Sequence, residues 1–124
     1  MIRFSDAPTI QDLIKDIPEV KYLPDKEAFD AAQEAAKGKL LVIDFTAVWC
    51  GPCQFIGPRF QAMQPDFPNV VFHKIDVDEN EEISMDLEVS TIPHFIFFKD
   101  GEKIDEQLGS DEAGLRALLE KHGK

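Results

Sequence analysis

A chain of 124 residues with 44% hydrophobic side chains and ten phenylalanines can close one core without cross-links, so a single compact fold is expected. Its formal charge of −11, from 24 Asp and Glu against 13 Lys and Arg, argues against nucleic acid or anionic membrane as a partner, because phosphate binding needs clustered cations. No apolar run approaches the roughly 20 residues that cross a bilayer. Residues 1–6 also lack the patterns of a signal or transit peptide, so a soluble protein of the reducing cytoplasm is expected.

Residues 1–18 read as a helical extension to a domain spanning 19–124. Thr9-Ile10-Gln11-Asp12 has the form of a capping box, and Ile10, Leu13, Ile14 and Ile17 make an apolar stripe that Pro18 ends. That stripe has to be covered, and packing back on the domain is the expected way. The extension should add stability and no chemistry, since every residue with chemical promise lies further along. Val20–Leu23 reads as a brief strand, and Asp25 caps a helix through Phe29, Ala32 and Ala36 that Gly38 stops. An apolar strand runs from Leu40 to about Thr46, and a helix from the cysteines to about Met63, with a kink expected at Pro58.

Val70–Ile75 is β-rich, and a short acidic helix surrounds Ile83 and Leu87. Pro93 leads into the strand Phe95–Phe98, and Lys99-Asp100-Gly101-Glu102 reads as a hairpin turn into Lys103–Leu108. Ser110 and Asp111 cap a last helix that turns Leu115, Leu118 and Leu119 inward. The alternation predicts an α/β fold: a central mixed five-stranded sheet flanked by four helices, parallel at first and ending in an antiparallel hairpin, plus the short N-terminal helix.

Both cysteines stand in Trp49-Cys50-Gly51-Pro52-Cys53, between that apolar strand and its helix. A Cys-x-x-Cys at such a junction points to dithiol–disulfide chemistry. Unpaired N–H groups and the positive end of the helix dipole stabilise a thiolate at Cys50. Cys53, one turn along on the same face, can close a disulfide with it, and Cys50 should be the exposed thiol and Cys53 the shielded one. Two other readings stay open. One is half of a zinc site, although His73, His94 and His122 are isolated in the sequence. The other is an inert bridge, although so short a loop constrains the unfolded chain very little.

Asp44 interrupts the apolar strand. Burial would raise its pKa and suit it to proton transfer, whereas a hydrated Asp facing an edge would be bland. His94, just after Pro93, is either a titrating group beside the cysteines or a strand histidine with a hydrogen-bond partner.

Taken together, these residues resemble the thioredoxin family over roughly residues 20–122. Ile43–Cys53 resembles the strand and active-site block, and Phe55-Ile56-Gly57-Pro58 the kinked helix after it. Lys74-Ile75-Asp76-Val77-Asp78 is similar to the end of the third strand, Ile92-Pro93 to the cis-proline loop, Phe98-Lys99-Asp100-Gly101 to the hairpin, and Gly109 to the glycine after the last strand. Asp44-Phe45-Thr46-Ala47 and Phe67-Pro68-Asn69-Val70 look most like cytosolic members of the plant h type.

The resemblance implies the thioredoxin fold and protein disulfide reduction. Cys50 would be the nucleophile, Cys53 the resolving thiol, Asp44 the general acid and base, and Lys74 its buried partner; a surface lysine snorkelling to water is the competing reading for Lys74. Pro93 would be cis, and Trp49, Gly51, Pro52, Ile92, Pro93 and Gly109 would form an apolar docking surface. No metal and no bound cofactor are implied, since electrons rest on the dithiol and come from NADPH through a thioredoxin reductase. That reductase and disulfide-containing proteins would be the partners of a monomer. Thr46, Val48, Gln54 and His94 depart from the common family pattern. The alternative is a scaffold or holdase of this fold, which would need none of Cys50, Cys53, Asp44 and Pro93.

Overall fold

In the computed structural model, which describes residues 7–124, the predicted elements appear in the predicted order. They are α1 (Ile10–Ile14), β1 (Lys21–Tyr22), α2 (Lys26–Ala35), β2 (Leu40–Thr46) and α3 (Gly51–Ala62), then β3 (Val71–Asp76), α4 (Glu81–Asp86), β4 (His94–Lys99), β5 (Glu102–Leu108) and α5 (Glu112–Gly123). The expectation about targeting patterns, and the first third of the extension, concern residues 1–6 and lie outside the described residues.

The strands form one sheet in the order β1-β3-β2-β4-β5. β1, β3 and β2 run parallel, while β4 is antiparallel to β2 and to β5. β2 is central and every one of its residues is buried, which is why it reads as a continuous apolar run. Leu40 and Val42 join Phe95 and Phe97 on one face, against Ile56 and Phe60 of α3 and Leu115 and Leu119 of α5. Leu41, Ile43 and Phe45 join Ile96 and Phe98 on the other, against Phe29 of α2 and Ile83 of α4. Phe60 anchors the first face, its ring 4.9 Å from that of Phe72 and 5.2 Å from that of Phe95. Burying one such side chain contributes on the order of 2 kcal/mol.

The helix starts follow their caps. Thr9 and Asp12 make the reciprocal capping box, Asp25 accepts from the Ala28 N–H, and Asp111 rather than Ser110 caps α5 by accepting from Gly114. Asp100 and Gly101 both take positive φ, 51° and 83°, as a tight hairpin between β4 and β5 requires. One sheet edge is the two-residue β1. The other is β5, whose outer side carries Glu102, Lys103 and Glu106 beside the exposed Ile104 and Leu108.

The extension packs on α3, but not with its whole stripe. Ile14 is buried, Ile10 and Ile17 are half-buried, and Leu13 is 62% exposed. Successive residues stand about 100° apart around a helix, so Leu13 falls at the margin of the face that Ile10 and Ile14 share. Gln61 Nε2 donates to the Ile17 carbonyl at 3.0 Å and Gln64 Nε2 to that of Pro18 at 2.6 Å, tying the end of the extension to α3 and the 3-10 turn after it.

Candidate active site

β2 delivers the chain to the site, and α3 starts there. Cys50 is the N-cap of α3, with extended backbone, and its Sγ accepts the Cys53 N–H at 3.2 Å. A sulfur in that position already holds one of the otherwise unpaired donors of the first turn, which favours a thiolate. Pro52 occupies the start of the helix, where its missing N–H costs nothing. Gln54, in the place of the family's common cation, donates to the Ala47 carbonyl at 3.1 Å and braces the loop.

Cys50 and Cys53 are bonded to each other, with Cα atoms 5.2 Å apart. The three histidines are engaged elsewhere, His73 with the Lys21 carbonyl, His94 with Glu106 and His122 with Asp105, and among the described residues no cluster of metal-ligating side chains accompanies the cysteines. With the disulfide closed both residues are buried, Cys50 at 5% exposure and Cys53 at 1%, so Cys50 is not the exposed member that its place at the helix start suggests. Ala47, Val77 and Ile92 pack around the pair.

Asp44 is 2% exposed in the centre of the sheet, which removes the hydrated-edge alternative, and no protein group donates to its Oδ1. It lies level with Lys74 on β3 and Phe95 on β4. Burial pushes its carboxyl from 3.8 up to about 7, against the opposing pull of the Lys74 charge. Lys74 is half-buried, with Nζ 4.2 Å from the centre of the Tyr22 ring, so it is neither a free surface lysine nor within salt-bridge reach of Asp44. Asp44, Lys74, Tyr22 and Cys53 share one cavity of about 200 Å³, which Ile14 and Gln11 of α1 also line. A carboxyl that titrates near neutrality in the same cavity as a thiol can exchange a proton with it.

Around the disulfide, Trp49 is 68% exposed and Val48 73%. The Trp49 indole N–H donates to Asp78 Oδ2 at 2.7 Å, which ties the exposed ring to the surface. The Ile92–Pro93 bond is cis, and the Ile92 carbonyl oxygen lies 4.0 Å from Cys50 Sγ. Gly109, at φ 84°, donates its N–H to the Pro93 carbonyl at 2.8 Å and closes the rim. Trp49, Gly51 and Pro52 stand exposed, Ile92 and Gly109 half-buried and Pro93 buried. His94 is the strand histidine of the two readings: 4% exposed, with Nε2 2.9 Å from Glu106.

A family model described as Thioredoxin matches residues 8–121. The chain belongs to the thioredoxin family. The thioredoxin of Geodia cydonium is 45% identical over 104 residues, covering 83% of this chain and 98% of that one, and the human thioredoxin is 41% identical over 100 residues, covering 81% and 95%. Among solved structures, Fasciola hepatica thioredoxin superposes with a TM-score of 0.80 at 38% identity, covering 83% of this chain and 99% of that one. The thioredoxin NaTrxh of Nicotiana alata does so at 0.80 with 30% identity, covering 86% and 96%. In this family the bonded pair is redox-active, and this thioredoxin-family protein is a thiol–disulfide oxidoreductase whose electrons rest on Cys50 and Cys53 without a cofactor.

The structure places beside the dithiol and its cavity four residues to which the sequence reading gave no role there. Gln11, Ile14 and Tyr22 line the Asp44 cavity, and Asp78 holds Trp49. Tyr22 was reachable, since a parallel β1 aligned with β3 sets it level with Lys74. Asp78 was hidden in an acidic run that reads as a solvated face.

Proposed function

We propose that the protein reduces disulfides in other proteins, with Asp44 as proton acceptor for the resolving thiol. The Cys50 thiolate attacks one sulfur of a substrate disulfide. That bond breaks, the other substrate sulfur leaves as a thiolate, and Cys50 is left in a mixed disulfide. Asp44 takes the proton of Cys53, whose thiolate attacks Cys50 Sγ; the second substrate sulfur leaves, and Cys50–Cys53 forms. Two electrons have passed to the substrate, whose thiolates take up protons. Lys74 holds the Asp44 carboxyl below the value that burial alone would give it.

An extended substrate segment lies over Trp49, Gly51, Pro52 and Gly109 and pairs with the backbone of Ile92, with the buried Pro93 beneath it. The donor that reopens the disulfide is a thioredoxin reductase drawing on NADPH, and the protein works as a monomer in the cytoplasm. Residues 1–18 serve as an extension to the domain 19–124.

The observation that carries this reading is the shared cavity of Asp44 and Cys53 behind a Cys50 that caps a helix. Insulin reduction coupled to NADPH and a thioredoxin reductase tests it. Cys53→Ser should stop turnover and accumulate mixed disulfides through Cys50, while Cys50→Ser should accumulate none. Adducts formed through Cys53 alone would reverse the roles.

A further inference from the structure

We propose that α1 is a lid over the Asp44 cavity: Ile14, with Gln11 beside it, keeps bulk water from the carboxyl and so fixes the pH range in which Cys53 gives up its proton. The inference rests on Asp44 being the proton acceptor. Strands β1, β2 and β3 and helix α3 wall the cavity, and Gln11 and Ile14 narrow the side that stays partly open to solvent. The helix is turned for this purpose, since Ile14 is 8% exposed and its neighbour Leu13 is 62% exposed.

Both glutamines that tie down the end of the extension, Gln61 and Gln64, belong to α3 or the turn directly after it. The lid is thus fastened to the element that carries Cys53. A helix of five residues has no stability of its own in water, so α1 stays in place through its capping box, these two bonds and the burial of Ile14.

The groups facing Asp44 are few. Lys74 faces it from β3, Tyr22 from β1 and Cys53 from α3, while β4 presents Phe95. α1 contributes an amide and an isoleucine to the lining, and its neighbours Lys15 and Glu19 lie along an outer groove with Ile17. The lid therefore acts by excluding water, not by bringing a charge. Opening it would let water stabilise the carboxylate and make Asp44 more acidic and a weaker base.

The test is a carbon NMR titration of the Asp44 carboxyl in the full oxidised chain, assigned by the signal that Asp44→Asn removes. It is paired with the pH profile of mixed-disulfide release. Ile14→Ser should lower the carboxyl midpoint by about one pH unit and move the kinetic profile down with it. Leu13→Ser, on the same helix but outside the cavity, should move neither. Ile14→Ala makes the same comparison if the serine variant does not fold. An unmoved midpoint in a folded Ile14 variant, or an equal shift in Leu13→Ser, overturns the lid. A midpoint that moves while the kinetic profile stays overturns the role of Asp44 and the proposal built on it.

Discussion

Asp44 and His94 are ionisable side chains buried on adjacent rungs of the β2–β4 ladder, Asp44 level with Phe95 and His94 with Phe45. They point to opposite faces of the sheet and have been settled in opposite ways. His94 Nε2 reaches Glu106 on the neighbouring strand, and its ring leans on Phe45 at 6.4 Å, while its Nδ1 is buried without a partner. Asp44 has no donor on Oδ1 and opens instead on a cavity that holds Cys53. A buried ionisable group with a partner holds strands together. One left without a partner is kept close to its titration point near neutrality, where it can pass a proton in either direction.

Replacing Asp44 should break this contrast most severely. Asp44→Asn is expected to slow mixed-disulfide resolution at pH 8 by at least about tenfold, as read by stopped-flow Trp49 fluorescence. The same variant should be more stable than the parent. The native carboxyl keeps its proton up to about 7, whereas the unfolded one releases it near 3.8. The native state therefore binds more protons between those values, and stability falls as pH rises through the window, by on the order of 4 kcal/mol. Urea unfolding at pH 4 and pH 8 should show the two proteins alike at pH 4 and Asp44→Asn ahead at pH 8. A parent whose stability is flat across that range would mean the carboxyl is not perturbed.

His94→Leu sharpens the same contrast from the other side. It removes a hydrogen bond to a half-exposed acid, so a loss of about 1 kcal/mol in stability is expected. The pH profile of resolution should not move. A moved profile would show that His94 acts on the dithiol after all. The smallest effect concerns a third acid, Asp78, which touches neither the cavity nor the sulfurs. Asp78→Ala frees the Trp49 ring at a cost of about 0.5–1 kcal/mol, so KM for insulin should rise two- to fivefold while kcat holds. A fall in kcat instead would place Asp78 in the chemistry.

The order of elements was legible because the core signals are local: the apolar run of β2, the caps at Asp25 and Asp111, and the Asp100-Gly101 turn. The dithiol was legible because its chemistry is confined to five consecutive residues. Asp44 stood out by contrast with its apolar neighbours. What a sequence does not carry is which segment lies against which. Leu13 and Ile14 are equally apolar, and only the docking of α1 on α3 decides that one faces water and the other a cavity. Cys50 looked open from its place at a helix start, but Ala47, Val77 and Ile92 come from three separate segments to cover it.

The two ends of the sheet bear on a different matter, the fate of the protein when it is crowded. An open strand offers unpaired N–H and C=O groups to any other extended chain, and long flat edges invite stacking into fibres. Here one edge is two residues long, too short to template anything. The other carries apolar Ile104 and Leu108 but sets Glu102, Lys103 and Glu106 among them, so a neighbour that paired there would have to strip water from charges. If substrate strands dock beside Ile92 as proposed, the protein would receive them at its sulfurs and turn them away at its borders.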